Sequence, residues 1–280
     1  MMKKFLSIML AALLLVGLLA GCGVQSGGNS DGKTTTAANE DVKTDWDYVS
    51  AKGELVIGYT VYAPMNYEEN GKWVGFDTEY AEAVCEKLGV TPKFLEIKWD
   101  TKEVDLAAKK MDCVWNGFTI TEEREEKLDF TSPYIKNRQV IIVRKADVAK
   151  YTTTASLANA KLTAEKASTG EKAIQEDDNL KQATYVESDV QTSALMAVKA
   201  LTSDACVVDY TVAMANVGKG DYADLAIVEG VELSVEEYGI GFRTDSDIVA
   251  KVNQATNELR ADGTLETLAK KYGLEAILIK

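Results

Sequence analysis

Apolar and polar positions alternate in two registers along this chain, short apolar runs and segments of helical period. Glu54 to Thr60 reads as a strand after a turn at Gly53, and Asn70-Gly71 marks a tight hairpin. Thr78 to Leu88 carries Tyr80, Ala81, Val84, Cys85 and Leu88 at helical spacing, with Gly89 as its stop. Thr91 to Lys98 predicts a strand, Lys102 to Lys110 a helix and Met111 to Trp115 a strand. This βαβαβ order argues for a mostly parallel sheet. A second set follows: strand Lys161 to Ala164, helix Gly170 to Glu176, strand Ala183 to Val186, helix Val190 to Leu201 and strand Ala205 to Asp209. The tail predicts a strand over Tyr238 to Arg243, an amphipathic helix over Asp247 to Asp262 and a last helix over Leu265 to Tyr272. The pattern predicts an α/β fold with two similar halves. Asp112-Cys113-Val114-Trp115-Asn116 and Ala205-Cys206-Val207-Val208-Asp209 are candidates for equivalent strands.

The first 45 residues follow a different pattern. Lys3-Lys4 and the apolar run Phe5 to Ala20, too short for a bilayer span, form a processing signal over residues 1–21. It ends in Leu19-Ala20-Gly21-Cys22, which matches a lipobox, with Cys22 the lipidation site. Residues 22–45 are polar and rich in Gly, Ser and Thr, and predict a flexible tether. The protein is therefore expected to be lipid-anchored at the cell membrane, facing outside the cytoplasm.

Composition removes several functions. With 31 Lys+Arg against 44 Asp+Glu, nucleic acid is not an expected partner. The absence of His excludes Ser-His-Asp and Cys-His nucleophiles and His-ligated zinc. No cofactor or metal is expected. Cys85, Cys113 and Cys206 are odd in number, lie in apolar or helical patterns, and are expected as buried free thiols.

Asp112 to Tyr134 concentrates the candidate chemistry. It reads as a buried strand, a turn at Gly117 and a helix start capped by Thr121. The Gly117 backbone N–H, the Thr119 hydroxyl and the Arg124 guanidinium converge there, which is chemistry for a carboxylate. Ser168 and Thr169 at a helix N-terminus add donors, and Asp209 at a strand end supplies an anion for an ammonium.

The stretch Gly117-Phe118-Thr119-Ile120-Thr121-Glu122-Glu123-Arg124, with Asp129-Phe130-Thr131-Ser132-Pro133-Tyr134, resembles the signature of the family 3 extracellular solute-binding proteins of bacterial amino-acid ABC transporters. Gly75-Phe76-Asp77, Ser168-Thr169-Gly170-Glu171, Asp204 to Asp209 and Asn253 to Thr264 extend the likeness from about Leu55 to Leu274. The resemblance implies two Rossmann-like lobes joined by two crossing strands, the type II periplasmic-binding-protein fold, with the ligand in the interlobe cleft. Lobe 1 would be 46–137 plus 235–280 and lobe 2 138–234. It implies a monomer, not an enzyme, that captures a free amino acid and delivers it to an ABC permease. Arg124, Thr119 and Gly117 would hold the α-carboxylate, Ser168 and Thr169 would add donors, Asp209 would hold the ammonium, and Tyr62 and Trp99 would pack on the ligand. Asn116 and Lys166 are further candidate contacts. Tyr59 stands where relatives for basic ligands often carry an acid, so a polar or neutral side chain is expected rather than a basic one. The alternatives are a cyclohexadienyl-dehydratase-like enzyme on the same fold and a signalling lipoprotein.

Overall fold

The computed structural model describes residues 43–280. The expectations for the signal, Cys22 and most of the tether lie outside the described residues. Helix α1 (Asp45–Lys52) leads into strand β1 (Glu54–Tyr59), the hairpin β2 (Tyr67–Glu69) and β3 (Lys72–Val74), and helix α2 (Phe76–Leu88). Then come β4 (Thr91–Glu96), α3 (Lys102–Ala107), β5 (Cys113–Thr119), the single turn α4 (Glu122–Glu125) and β6 (Leu128–Phe130). The long strand β7 (Ile135–Arg144) opens the second half: β8 (Lys161–Glu165), α5 (Thr169–Glu176), β9 (Thr184–Ser188) and α6 (Gln191–Lys199). β10 (Ala205–Asp209), α7 (Tyr210–Asn216) and β11 (Leu225–Ile227) complete it. The chain returns along β12 (Ser234–Arg243) and ends in α8 (Ile248–Ala261) and α9 (Thr264–Lys271).

The strand order is β4-β1-β5-β12-β7-β10-β8-β9, with β6 on β12 and β11 on β7. β1 runs parallel to β4 and β5, and β8 runs parallel to β9 and β10. Between these trios, β7 and β12 pair antiparallel from Ser234 opposite Gln139 to Tyr238 opposite Ile135. Beyond that shared stretch β7 continues along β10 and β12 continues along β5. The result is two parallel-sheet lobes joined by two crossing strands. The C-terminal ends of β5, β8 and β10 all point toward the region between the lobes, where open sheets of this kind hold ligands.

Burial explains why β5 shows no polar alternation: it is covered on both faces over its whole length. Trp115, Tyr80, Tyr134 and Phe76 are all enclosed, with the Tyr80 and Trp115 rings edge to face at 4.8 Å. Each such ring contributes about 4–6 kcal/mol of transfer free energy before ordering costs.

Three elements differ from the sequence expectation. α1 was not anticipated, although Thr44 and Asp47 form a reciprocal capping box at its start and Val49 buries against the core. No turn forms at Gly117: β5 runs straight through to Thr119 with Gly117 at φ +54° inside the strand. β7 begins at Ile135, ahead of the apolar run Val140 to Val143 where hydropathy alone would start a strand, because its polar Lys136, Asn137 and Arg138 pair with β12. The hairpin at Asn70-Gly71 forms as expected, both residues at positive φ. Cys85, Cys113 and Cys206 are buried and free.

Candidate functional site

Tyr62, Trp99, Asn116, Gly117, Thr119, Arg124, Glu165, Ser168, Thr169, Gln191 and Asp209 line a narrow, tightly closed space between the two trios. Nine of the ten site residues expected from sequence lie on this wall. Lys166 does not. Its ammonium pairs with Glu187 at 3.1 Å and Asp100 at 3.9 Å, and the side chain is half-exposed.

Arg124 carries the largest electrostatic consequence. The turn of α4, capped by the Thr121 hydroxyl, points its side chain back under β5. The guanidinium is 7 % exposed and stacks over the Phe118 ring at 4.5 Å. Its Nη1 donates to the Thr119 carbonyl at 2.7 Å. Among the described residues no carboxylate lies within ion-pair distance of it. Burial pulls its pKa down, and Glu236, Glu103 and Asp209 oppose that pull from a distance.

Asp209 faces it from the other lobe at the end of β10. Asn137 Nδ2 donates to Oδ1 at 2.9 Å, Gln139 also donates to Oδ1, and Gln191 Nε2 donates to Oδ2 at 2.5 Å. The Gln191 carbonyl returns the favour by accepting the Asp209 N–H at 2.8 Å. Burial first and Glu236 second push the Asp209 carboxyl up, while the three amides hold it down. No Lys or Arg among the described residues pairs with it. Asn137, Gln139, Gln191 and Glu236 were not legible as site residues. Three of them are amides or acids inside the crossing strands, whose facing partners only the fold reveals.

Several expected donors are already engaged. The Gly117 N–H, expected to reach a ligand, donates instead to Asp77 Oδ2 at 2.7 Å, beside the Tyr134 hydroxyl at 3.0 Å. What requires glycine there is Tyr62: a Cβ at position 117 would sit 1.8 Å from its hydroxyl oxygen. The Thr119 hydroxyl donates to Glu236 Oε2 at 3.0 Å. Asn116 uses its whole amide to clamp β1 and the following loop, accepting from Thr60 N and Oγ1 and donating to Thr60 O and Asn66 Oδ1. Ser168 caps α5 by accepting the Glu171 N–H. Thr169 Oγ1 accepts from Gln139 at 3.0 Å, which leaves its own O–H proton available. The Thr169 and Gly170 N–H groups have no intrahelical acceptor, as the first turn of a helix dictates. Trp99 packs edge to face on Phe118 at 5.5 Å and carries the Lys102 ammonium over its own face at 4.8 Å.

Two side chains on the wall hold polar atoms without any protein partner: the Tyr62 hydroxyl and Glu165 Oε1. Burial pushes the Tyr62 phenol well above its ordinary value. Glu165, at the end of β8, is pushed up to about 8, by burial foremost and then by Asp209, against Lys102 and Arg124. The signal that could have found it is its place: an acid closing a buried parallel strand.

The wall thus sets an unpaired buried cation against unpaired buried acids across a small space. That pattern of charge matches a compact zwitterion.

Comparison with known proteins identifies the family. Residues 55–275 match the model of the bacterial extracellular solute-binding proteins, family 3. The chain is 29 % identical to the L-cystine-binding protein TcyJ of Escherichia coli K12, over 80 % of this chain and 84 % of that one. It is 31 % identical to the probable amino-acid-binding protein YxeM of Bacillus subtilis, over 100 % of this chain and 98 % of that one. Its fold is similar to the arginine-bound ArgBP of T. maritima, with a TM-score of 0.70, 34 % identity, and coverage of 76 % of this chain and 99 % of that one. These relatives are binding proteins rather than enzymes. The two-lobed fold and a match over residues 55–275 place this protein in the bacterial extracellular solute-binding proteins, family 3.

Proposed function

We propose that the protein is an extracytoplasmic binding protein that captures a free α-amino acid between its lobes and delivers it to an ABC permease. The observation that carries this reading is the buried Arg124 without a carboxylate, opposite the buried Asp209 without a cation. A ligand carboxylate pairs bidentately with Arg124, with Thr169 adding donors from the N-terminus of α5. The ligand ammonium takes Asp209. Tyr62 and Trp99 cover the remaining walls. Charged hydrogen bonds of this kind contribute about 1.5–3 kcal/mol each, so a handful reaches the ~8 kcal/mol of micromolar binding before ordering costs.

Lobe 1 comprises 46–137 plus 235–280 and lobe 2 comprises 138–234 in this reading. It is supported by the switch of β7 from β12 to β10 at Gln139. A lipid on Cys22 tethers the protein to the membrane, a reading supported by the basic start, the short apolar run and Leu19-Ala20-Gly21 before the Cys. Relatives here bind cystine and arginine. The expectation of a polar or neutral ligand rests on Tyr59, and Lys166 is the other candidate contact for the ligand side chain. Neither reaches the cavity: Tyr59 packs against Trp73 and Phe94.

A thermal-shift screen of the common amino acids, ornithine and cystine tests the reading. At least one is expected to raise Tm, since a ligand at 100 times its Kd adds about 2.7 kcal/mol. No shift from any of them contradicts it.

A further inference from the structure

The side-chain end of the site is where the structure says most that the sequence does not. Glu165 is 3 % exposed and lines the cavity. Its Oε1 is fully enclosed and accepts no hydrogen bond. An enclosed carboxylate oxygen without a donor is costly, and such groups concentrate where a ligand completes them. The neighbouring Tyr62 hydroxyl is enclosed on the same wall, beside the Tyr238 hydroxyl but without a well-formed hydrogen bond.

The nearby cations do not complete Glu165. Lys102 Nζ is spent on two carbonyls, Trp99 O at 3.1 Å and Ala167 O at 3.2 Å, and sits over the Trp99 ring. Arg124 is turned to the Thr119 carbonyl. Among the described residues neither lies within 4 Å of the Glu165 carboxylate. Once the α-carboxylate has taken Arg124 and the α-ammonium Asp209, the lining retains one acid over. Burial keeps a proton on Glu165. A cationic side chain takes that proton's place as its partner, whereas an apolar side chain leaves Oε1 without a donor.

We infer that Glu165 is the specificity-determining residue of the cleft and selects an α-amino acid whose side chain ends in a cationic hydrogen-bond donor. The inference rests on the amino-acid reading above. The side-chain cation donates to Glu165 Oε1, with the Tyr62 hydroxyl as a second acceptor. The acid stands on the second lobe, at the end of β8, so the side chain is read by the part of the wall that Tyr59 does not supply.

Calorimetric titration of the purified protein with L-arginine, L-ornithine and L-norleucine tests this. The wild type is expected to bind a basic ligand at least 100-fold more tightly than norleucine. Glu165→Leu is expected to shrink that ratio below tenfold, and the near-isosteric Glu165→Gln to shrink it in the same direction. Thermal melts of each variant check folding. Equal loss for all three ligands, or an unchanged ratio, would assign Glu165 a structural role and overturn the inference. A wild type that prefers norleucine, or binds basic and apolar ligands alike, overturns it too while leaving the amino-acid reading in place. A wild type that binds no amino acid at all removes both.

Discussion

At the scale of single residues, the cleft is governed by groups that the fold withdraws from water without fully pairing. Arg124, Asp209 and Glu165 do so on the cavity wall, and Asp77 does so just behind it. Asp77 accepts from the Gly117 N–H and the Tyr134 hydroxyl through one oxygen, while its other oxygen has no partner. Burial raises its carboxyl to about 7 from 3.8, against those two hydrogen bonds. The sign follows from where the proton is held. The folded chain binds it more tightly than the unfolded chain, so the stabilising contribution is full below the unfolded value and is lost as pH rises through about 7. Glu165 acts in the same sense. Asp77→Asn keeps an acceptor oxygen for Gly117 and removes the titration. The Tm of the wild type is therefore expected to fall relative to that variant as pH rises from about 5 to 8, as followed by thermal melts. Parallel curves would contradict this.

At the scale of elements, β5 decides the geometry of the cleft. Its left-handed Gly117 lets Tyr62 lie against the backbone while the strand continues to Thr119. A side chain there meets both the positive φ, about 1–2 kcal/mol, and the Tyr62 hydroxyl, for which overpacking costs about 1–3 kcal/mol. Gly117→Ala is expected to lose about 2–4 kcal/mol in urea denaturation and to weaken ligand binding by displacing Tyr62. An unchanged midpoint would refute that account. The same strand shows what sequence reasoning reaches. Its apolar run, the Thr121 cap and Arg124 were all legible, because burial and capping leave local marks. The direction of the Gly117 N–H was not, since its acceptor, Asp77, lies 40 residues away. Hydropathy does not show β7 over Lys136 to Arg138, where cross-strand pairing makes the strand; only the family resemblance, which implies a crossing near Tyr134 to Arg138, reaches it. Lys166 and Glu165 differ by one position on β8 and its loop, and that one step decides which of them faces the cavity.

At the scale of the whole molecule, two lobes share two strands, so the crossing and the site are built from the same residues. Asn137 and Gln139 on β7 and Glu236 on β12 hold one another and Asp209 by hydrogen bonds across the crossing. Lys102 to the Ala167 carbonyl at 3.2 Å and Lys172 to Glu123 at 3.6 Å are contacts that bridge the cleft. A ligand that pairs Arg124 on one side and Asp209 on the other favours closure by its differential contacts with the closed form. The most direct test of that claim is a calorimetric titration of the wild type and Arg124→Ala with the amino acid that gives the largest shift in the thermal screen. Removing one partner of a buried pair costs about 3–5 kcal/mol, so the variant is expected to bind at least about a hundredfold more weakly. Affinity within about threefold of the wild type, on the order of 0.7 kcal/mol, would contradict the account.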